Sequence, residues 1–166
     1  MPEEKILPKD RIASSFKELA TVSLEINEAA KGLGKSVGSL EGALKTLDLG
    51  VPAWHRIAGY EDRDGSYWTR DIGYTMIGQS WRIALRKTSG HHHADVHDEE
   101  VWPFNDAPRW MCVESVGKLP DLFDELIKRT VETTAKIKAR TVEAEELAAA
   151  VREMYTEWAV TKKGRK

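Results

Sequence analysis

The sequence predicts an α+β fold in a single domain over 1–166. It combines a long N-terminal heptad helix (10–49), a central antiparallel sheet of three to four strands within 53–115, a long C-terminal helix (119–160) and a basic tail (161–166). Three observations predict it. Apolar residues recur at alternating steps of four and three before residue 50, at steps of two through the middle, and on a helical face again after Pro120. A chain of 166 residues, 41% hydrophobic, is long enough to bury one core.

The first helix follows from Ile12, Phe16, Leu19, Ser23, Ile26, Ala30, Leu33, Val37, Leu40, Leu44 and Leu47. Only Ser23 is polar, and the run is longer than the three or four heptads that argue for a coiled coil. Asp10 is placed to cap the start after Pro8, and Gly50 with Pro52 to stop it. Gly32, Gly34, Gly38 and Gly42 each cost about 1 kcal/mol against alanine inside a helix. Three of them continue the step of four from Ala30. They mark either a groove where another backbone comes close or a point where the helix bends.

In the middle, residues 67–77 and 80–87 flank Gly78-Gln79, a two-residue loop with glycine first that suits a type II′ hairpin. That turn sets Met76 opposite Trp81, Tyr74 opposite Ile83 and Ile72 opposite Leu85 on one apolar face. The other face pairs Thr75 with Arg82, Gly73 with Ala84 and Asp71 with Arg86, the last an opposite-charge pair. A preceding strand is expected over 54–60 and a fourth over 110–113. The polar stretch 88–100 reads as a loop, and Pro103 and Pro108 argue against regular structure nearby.

After Pro120, acidic residues at 121, 124 and 125 suit a helix N-terminus. Leu119, Leu122, Phe123, Leu126 and Ile127 make a wide apolar face. It thins through Thr130 and Ile137 and recovers at Ala144, Leu147, Val151, Met154 and Trp158. A four-stranded sheet cannot cover two 40-residue seams. A helical stalk and a homodimer are therefore expected, with Ile26, Leu33, Val37, Leu40 and Leu44 at the oligomer contact.

Composition excludes several classes. With 27 acidic and 25 basic residues the net charge is −2, neither a disordered acidic tail nor a basic nucleic-acid coat. No apolar run of 18 exists, so no membrane span is expected. Met1-Pro-Glu-Glu-Lys5 lacks a charged-then-apolar pattern, and a cytoplasmic protein is expected. The single Cys112 excludes an internal disulfide and a four-cysteine zinc site.

Three motifs invite chemistry. Ala29-Ala-Lys-Gly-Leu-Gly34-Lys35-Ser36 resembles a relaxed phosphate loop, but it lies inside the heptad run with no strand before it. His91-His-His-Ala-Asp95-Val-His97 is dense in imidazole, yet nothing in the sequence orients the rings, and adventitious metal affinity is the plainer reading. Asn105-Asp-Ala-Pro-Arg109-Trp holds an arginine stiffly after proline. The central region uses arginine almost exclusively among its bases, and between 53 and 113 it holds seven bases and nine acids. Structural ion pairs account for most of these arginines.

Five tryptophans, Trp54, Trp68, Trp81, Trp102 and Trp110, fall in the same region; most serve to bury a thin sheet, and an exposed one would anchor a partner. No catalytic residue, metal ligand or cofactor is expected, and a buried Cys112 reads as inert core. The expected function is that of a non-enzymatic interaction or scaffold protein. It dimerises through its heptads and offers Trp54, Arg82, Trp102 and Arg109 to a macromolecular partner. Alternatives are nucleic-acid binding through Arg82, Arg109 and the basic tail, with a steep salt dependence, and a small metal- or nucleotide-dependent enzyme.

Overall fold

The computed structural model describes residues 7–94 and 96–163. Helix α1 (Pro8–Thr46) runs unbroken through all four glycines. Pro8 takes the first turn, where its missing N–H is not needed, and Leu7 supplies no side-chain cap. Asp10, expected as the cap, is instead an acid in the first turn beside the positive end of the helix dipole. The helix ends at Thr46 rather than 49, because Asp48 takes a left-handed conformation (φ 46°) that cannot continue it.

Four strands follow: β1 (Ala53–Glu61), β2 (Ser66–Ile77), β3 (Ser80–His91) and β4 (Val96–Pro103). They form one antiparallel meander in sequence order. The β2–β3 register is the expected one, with Met76 opposite Trp81, Ile72 opposite Leu85 and Asp71 opposite Arg86. Gly78 has φ +61° at the turn, a conformation that favours glycine. A bulge at Ile57 shifts the β1–β2 register between Arg56 and Ala58.

Two segments depart from the expected pattern. Residues 88–91 and 96–100 are strand, not loop: β3 continues to His91, and β4 pairs with it from His97 opposite Gly90 to Pro103 opposite Ala84. Nor are 110–113 a strand. They belong to a short helix α2 (Arg109–Ser115), opened by Pro108, whose carbonyl accepts the Met111 and Cys112 N–H groups at 2.9 and 3.1 Å. Its buried residues, Met111, Cys112 and Ser115, share one helical face.

A 3-10 turn (Val116–Lys118) leads into helix α3 (Leu119–Lys163), 45 residues and about 68 Å long. Thr161, Lys162 and Lys163 of the expected basic tail are helical, and 164–166 lie outside the described residues.

All three helices sit on the face of the sheet that carries Ile72, Tyr74, Ile83 and Leu85. Val37 and Leu44 of α1, Met111 and Cys112 of α2, and Leu119, Leu122 and Leu126 of α3 complete the core with Phe104 and Ala53. α1 lies along β3 while α3 lies over β1 and β2, and the two long helices share no extended interface. At the β3 edge beyond β4, the Glu41 carboxylate accepts the free Ile83 N–H at 2.9 Å, docking α1 on the sheet.

The apolar residues of α1 therefore divide. Val37 and Leu44 are buried in the chain's own core, and Leu33 packs against it. Ile12 and Phe16 are each 70% exposed, with Leu19 and Ile26 also exposed. On α3 the same happens beyond Leu126: Ile137, Leu147, Val151, Met154 and Trp158 are all exposed. Among the described residues, no helix is long and apolar enough to cross a membrane.

Candidate functional site

The main concavity lies between the middle of α1 and the segment 104–113, with a volume of about 1250 Å³. Its α1 wall runs from Ile26 to Gly38, and its far wall comes from Phe104 through Trp110 to Val113. The two walls meet where Asn105 packs against Gly34. A Cβ on Gly34 would stand 2.5 Å from the Asn105 Oδ1, so any larger residue there would make the Asn105 amide swing aside. A second tie is the Arg109 Nη2, which donates to the Asn27 Oδ1 at 2.5 Å.

The lining is mainly apolar. Among the described residues, its charged members are Lys31, Lys35 and Arg109, with no carboxylate. Cys112 lines the inner wall, its Sγ 3.1 Å from the Phe104 carbonyl oxygen, and burial pushes its thiol pKa up. A thiol held neutral this way is a poor nucleophile. The arrangement can hold an apolar surface but supplies no acid–base pair.

The sheet face without helices carries a second cluster. Asp71 is 3% exposed and is held by three side chains. The Arg56 Nε donates to it at 2.7 Å, the Arg86 Nε and Nη2 at 3.2 Å each, and the Thr69 hydroxyl at 3.4 Å. Arg86 also stacks over Trp54, its guanidinium carbon 4.2 Å from the ring centroid. Asp71 and Arg86 thus make the expected cross-strand pair, and Arg56 joins them.

On the helix side, Arg70 lies between Trp68 and Trp110, 4.7 and 5.0 Å from their centroids, and donates to Glu114 of α2 at 3.0 Å. This clamp fixes α2 to β2.

The histidines gather at the far end of the sheet. Tyr67 Oη and His97 Nδ1 are 3.0 Å apart, Tyr67 stacks on His92, and His92 lies 3.2 Å from the Glu61 carboxylate. Nearby, Asp64 accepts the Ser66 N–H and hydroxyl, which lowers its pKa. The cluster belongs to the end of β3, a turn and β4, not to the expected loop. Among the described residues, no three His, Cys, Asp or Glu side chains converge as a metal site, and Asp95 lies outside them. The residues resembling a phosphate loop, 29–36, are helical throughout.

The four expected partner-binding residues are dispersed. Trp54 and Arg82 share the open sheet face, Trp102 packs against the core on the other side, and Arg109 lines the groove. Of the five expected oligomer contacts, Ile26 and Leu40 are exposed, Leu33 is half-buried, and Val37 and Leu44 are internal. The groove itself was not anticipated as a unit, although the glycine series hinted at close approach along α1. Compared with known proteins, the chain matches no family model, no curated protein and no solved structure.

Proposed function

We propose that this is a non-enzymatic interaction protein. It joins copies of itself through the protruding halves of α1 and α3 and holds the Trp/Arg-bearing sheet out to a macromolecular partner. One observation carries the reading. Both long helices continue far beyond the core with their large apolar residues uncovered, Phe16 at 70% and Leu147 at 64% exposure among them. Contiguous apolar surface of that kind marks an interaction site in a water-exposed protein. Helices of this length also draw most of their stability from packing an apolar face, which the chain alone does not provide here.

The test is a pair of variants, Phe16→Asp/Leu19→Asp on α1 and Leu147→Asp/Val151→Asp on α3, followed by sedimentation velocity. Loss of the dimer with an intact β signature in circular dichroism supports the reading. A sedimentation profile unchanged by both variants would remove it.

A further inference from the structure

The groove beside α1 and the distal half of α3 complement each other, yet one chain cannot bring its own pair together. α3 is unbroken from Leu119 to Lys163 and anchored in the core by Leu122 and Leu126, so its far half leads away without folding back. We propose that the groove of each copy receives the distal half of α3 from a second copy. This proposal rests on the self-association reading above and says where the α3 seam is seated.

The groove has the dimensions of a helix seat. Its α1 wall, Ile26 to Gly38, extends about 18 Å, more than three helical turns. The lips are uncovered: Trp110 and Val113 are both exposed. Beside Gly38 there is nothing within 4 Å of where a Cβ would stand, so the α1 wall is open to close approach.

Charge selects the occupant. Among the described residues, the groove lining presents Lys31, Lys35 and Arg109 and no carboxylate. Residues 142–158 of α3 carry Glu143, Glu145, Glu146, Glu153 and Glu157 against a single Arg152. Their apolar seam, Leu147, Val151, Met154 and Trp158, repeats at steps of four, three and four and is exposed along its whole length. The protruding half of α1 is the other unpartnered seam, but over 8–28 it holds three bases and four acids and offers the groove little attraction. A hydrophobic seam with an oppositely charged rim is the pattern of helix-in-groove recognition. One twofold axis makes the contact twice, each copy giving a helix and receiving one.

Cysteine cross-linking on full-length chains tests the placement. In a Cys112→Ala background, a chain with Val113→Cys is mixed with chains carrying Val151→Cys, Met154→Cys or Trp158→Cys. Each mixture is oxidised mildly. At least one pairing should give a disulfide between unlike chains, since a disulfide forms only where the two Cα atoms lie within about 7 Å.

Dimers in which Val113→Cys joins none of the three would overturn the groove placement and leave self-association standing. Monomers at every concentration would overturn both. As a second measurement, Lys31→Glu/Lys35→Glu should weaken the dimer about tenfold, and Glu146→Lys/Glu153→Lys on α3 should recover it. Unchanged affinity in the lysine variant would also overturn the placement. Circular dichroism confirms that each variant folds.

Discussion

Trp54 of β1 packs directly against the Cα of Gly73 across the strand pair, so closely that a methyl group on Gly73 would overlap the indole. The same ring lies under Arg86, which in turn holds Asp71. Gly73→Ala is expected to push Trp54 off the sheet and destabilise the fold by about 2 kcal/mol, the usual cost of overpacking. Gly32→Ala is the control: nothing lies within 4 Å of its Cβ position, and inside α1 it should stabilise by about 1 kcal/mol. Urea unfolding midpoints of the two variants check both signs.

Asp71 is nearly buried, whereas the Arg56 side chain is 58% exposed. Removing the carboxylate leaves two guanidinium groups facing a sheet built around it, so Asp71→Ala should cost about 3 kcal/mol. Arg56→Ala leaves Arg86 still paired with Asp71, and the lost contact is largely hydrated; it should cost less than about 1 kcal/mol. Equal losses in chemical denaturation would refute this assignment.

On the proposed reading, the apolar face of α1 serves folding at one end and assembly at the other. Leu44→Ala opens a cavity in the core and should cost about 3 kcal/mol at any protein concentration. Phe16→Ala touches no core residue and should alter only the concentration-dependent part of the stability. Thermal melts at two concentrations a hundredfold apart distinguish the two effects.

Stability should fall in alkali. Burial raises the Cys112 thiol pKa above its ordinary 9.0, and burial, with Glu41 and Asp48 adding repulsion, raises the Tyr74 phenol above 10.0. Both groups stay neutral in the folded chain at a pH where the unfolded chain has ionised. The unfolded state then binds fewer protons, and stability drops as pH rises from about 9 through the raised folded values. Urea midpoints between pH 8 and 11 should show this fall, and Cys112→Ala should flatten its first part.

The β2–β3 hairpin was legible because three signals agree: alternation, the Gly78-Gln79 loop and aromatic residues on a single face. β4 was not, because it is an edge strand that buries almost nothing. His97, Asp98, Glu99 and Glu100 alternate no apolar residue against polar ones, and charge of this kind on an edge resists pairing with other chains. Trp110 to Val113 looked like a strand because four apolar residues in a row carry no period, and Pro108 opens a helix as readily as it ends a strand. The apolar periodicity before residue 50 announced a long helix, but periodicity cannot say what covers its apolar residues; the sheet covers Val37 and Leu44 and leaves Ile12 to Ile26 bare. The groove joins α1 to a segment some seventy positions away, and only the glycine series along α1 hinted at it.

Light scattering on the untagged chain across a concentration series tests the central claim most directly. The account predicts a molar mass that rises to twice 18.7 kDa and stays there, with the protruding seams covered by the second copy. A mass of 18.7 kDa at every concentration would contradict it, and with it the assignment of α1 and α3 as assembly elements.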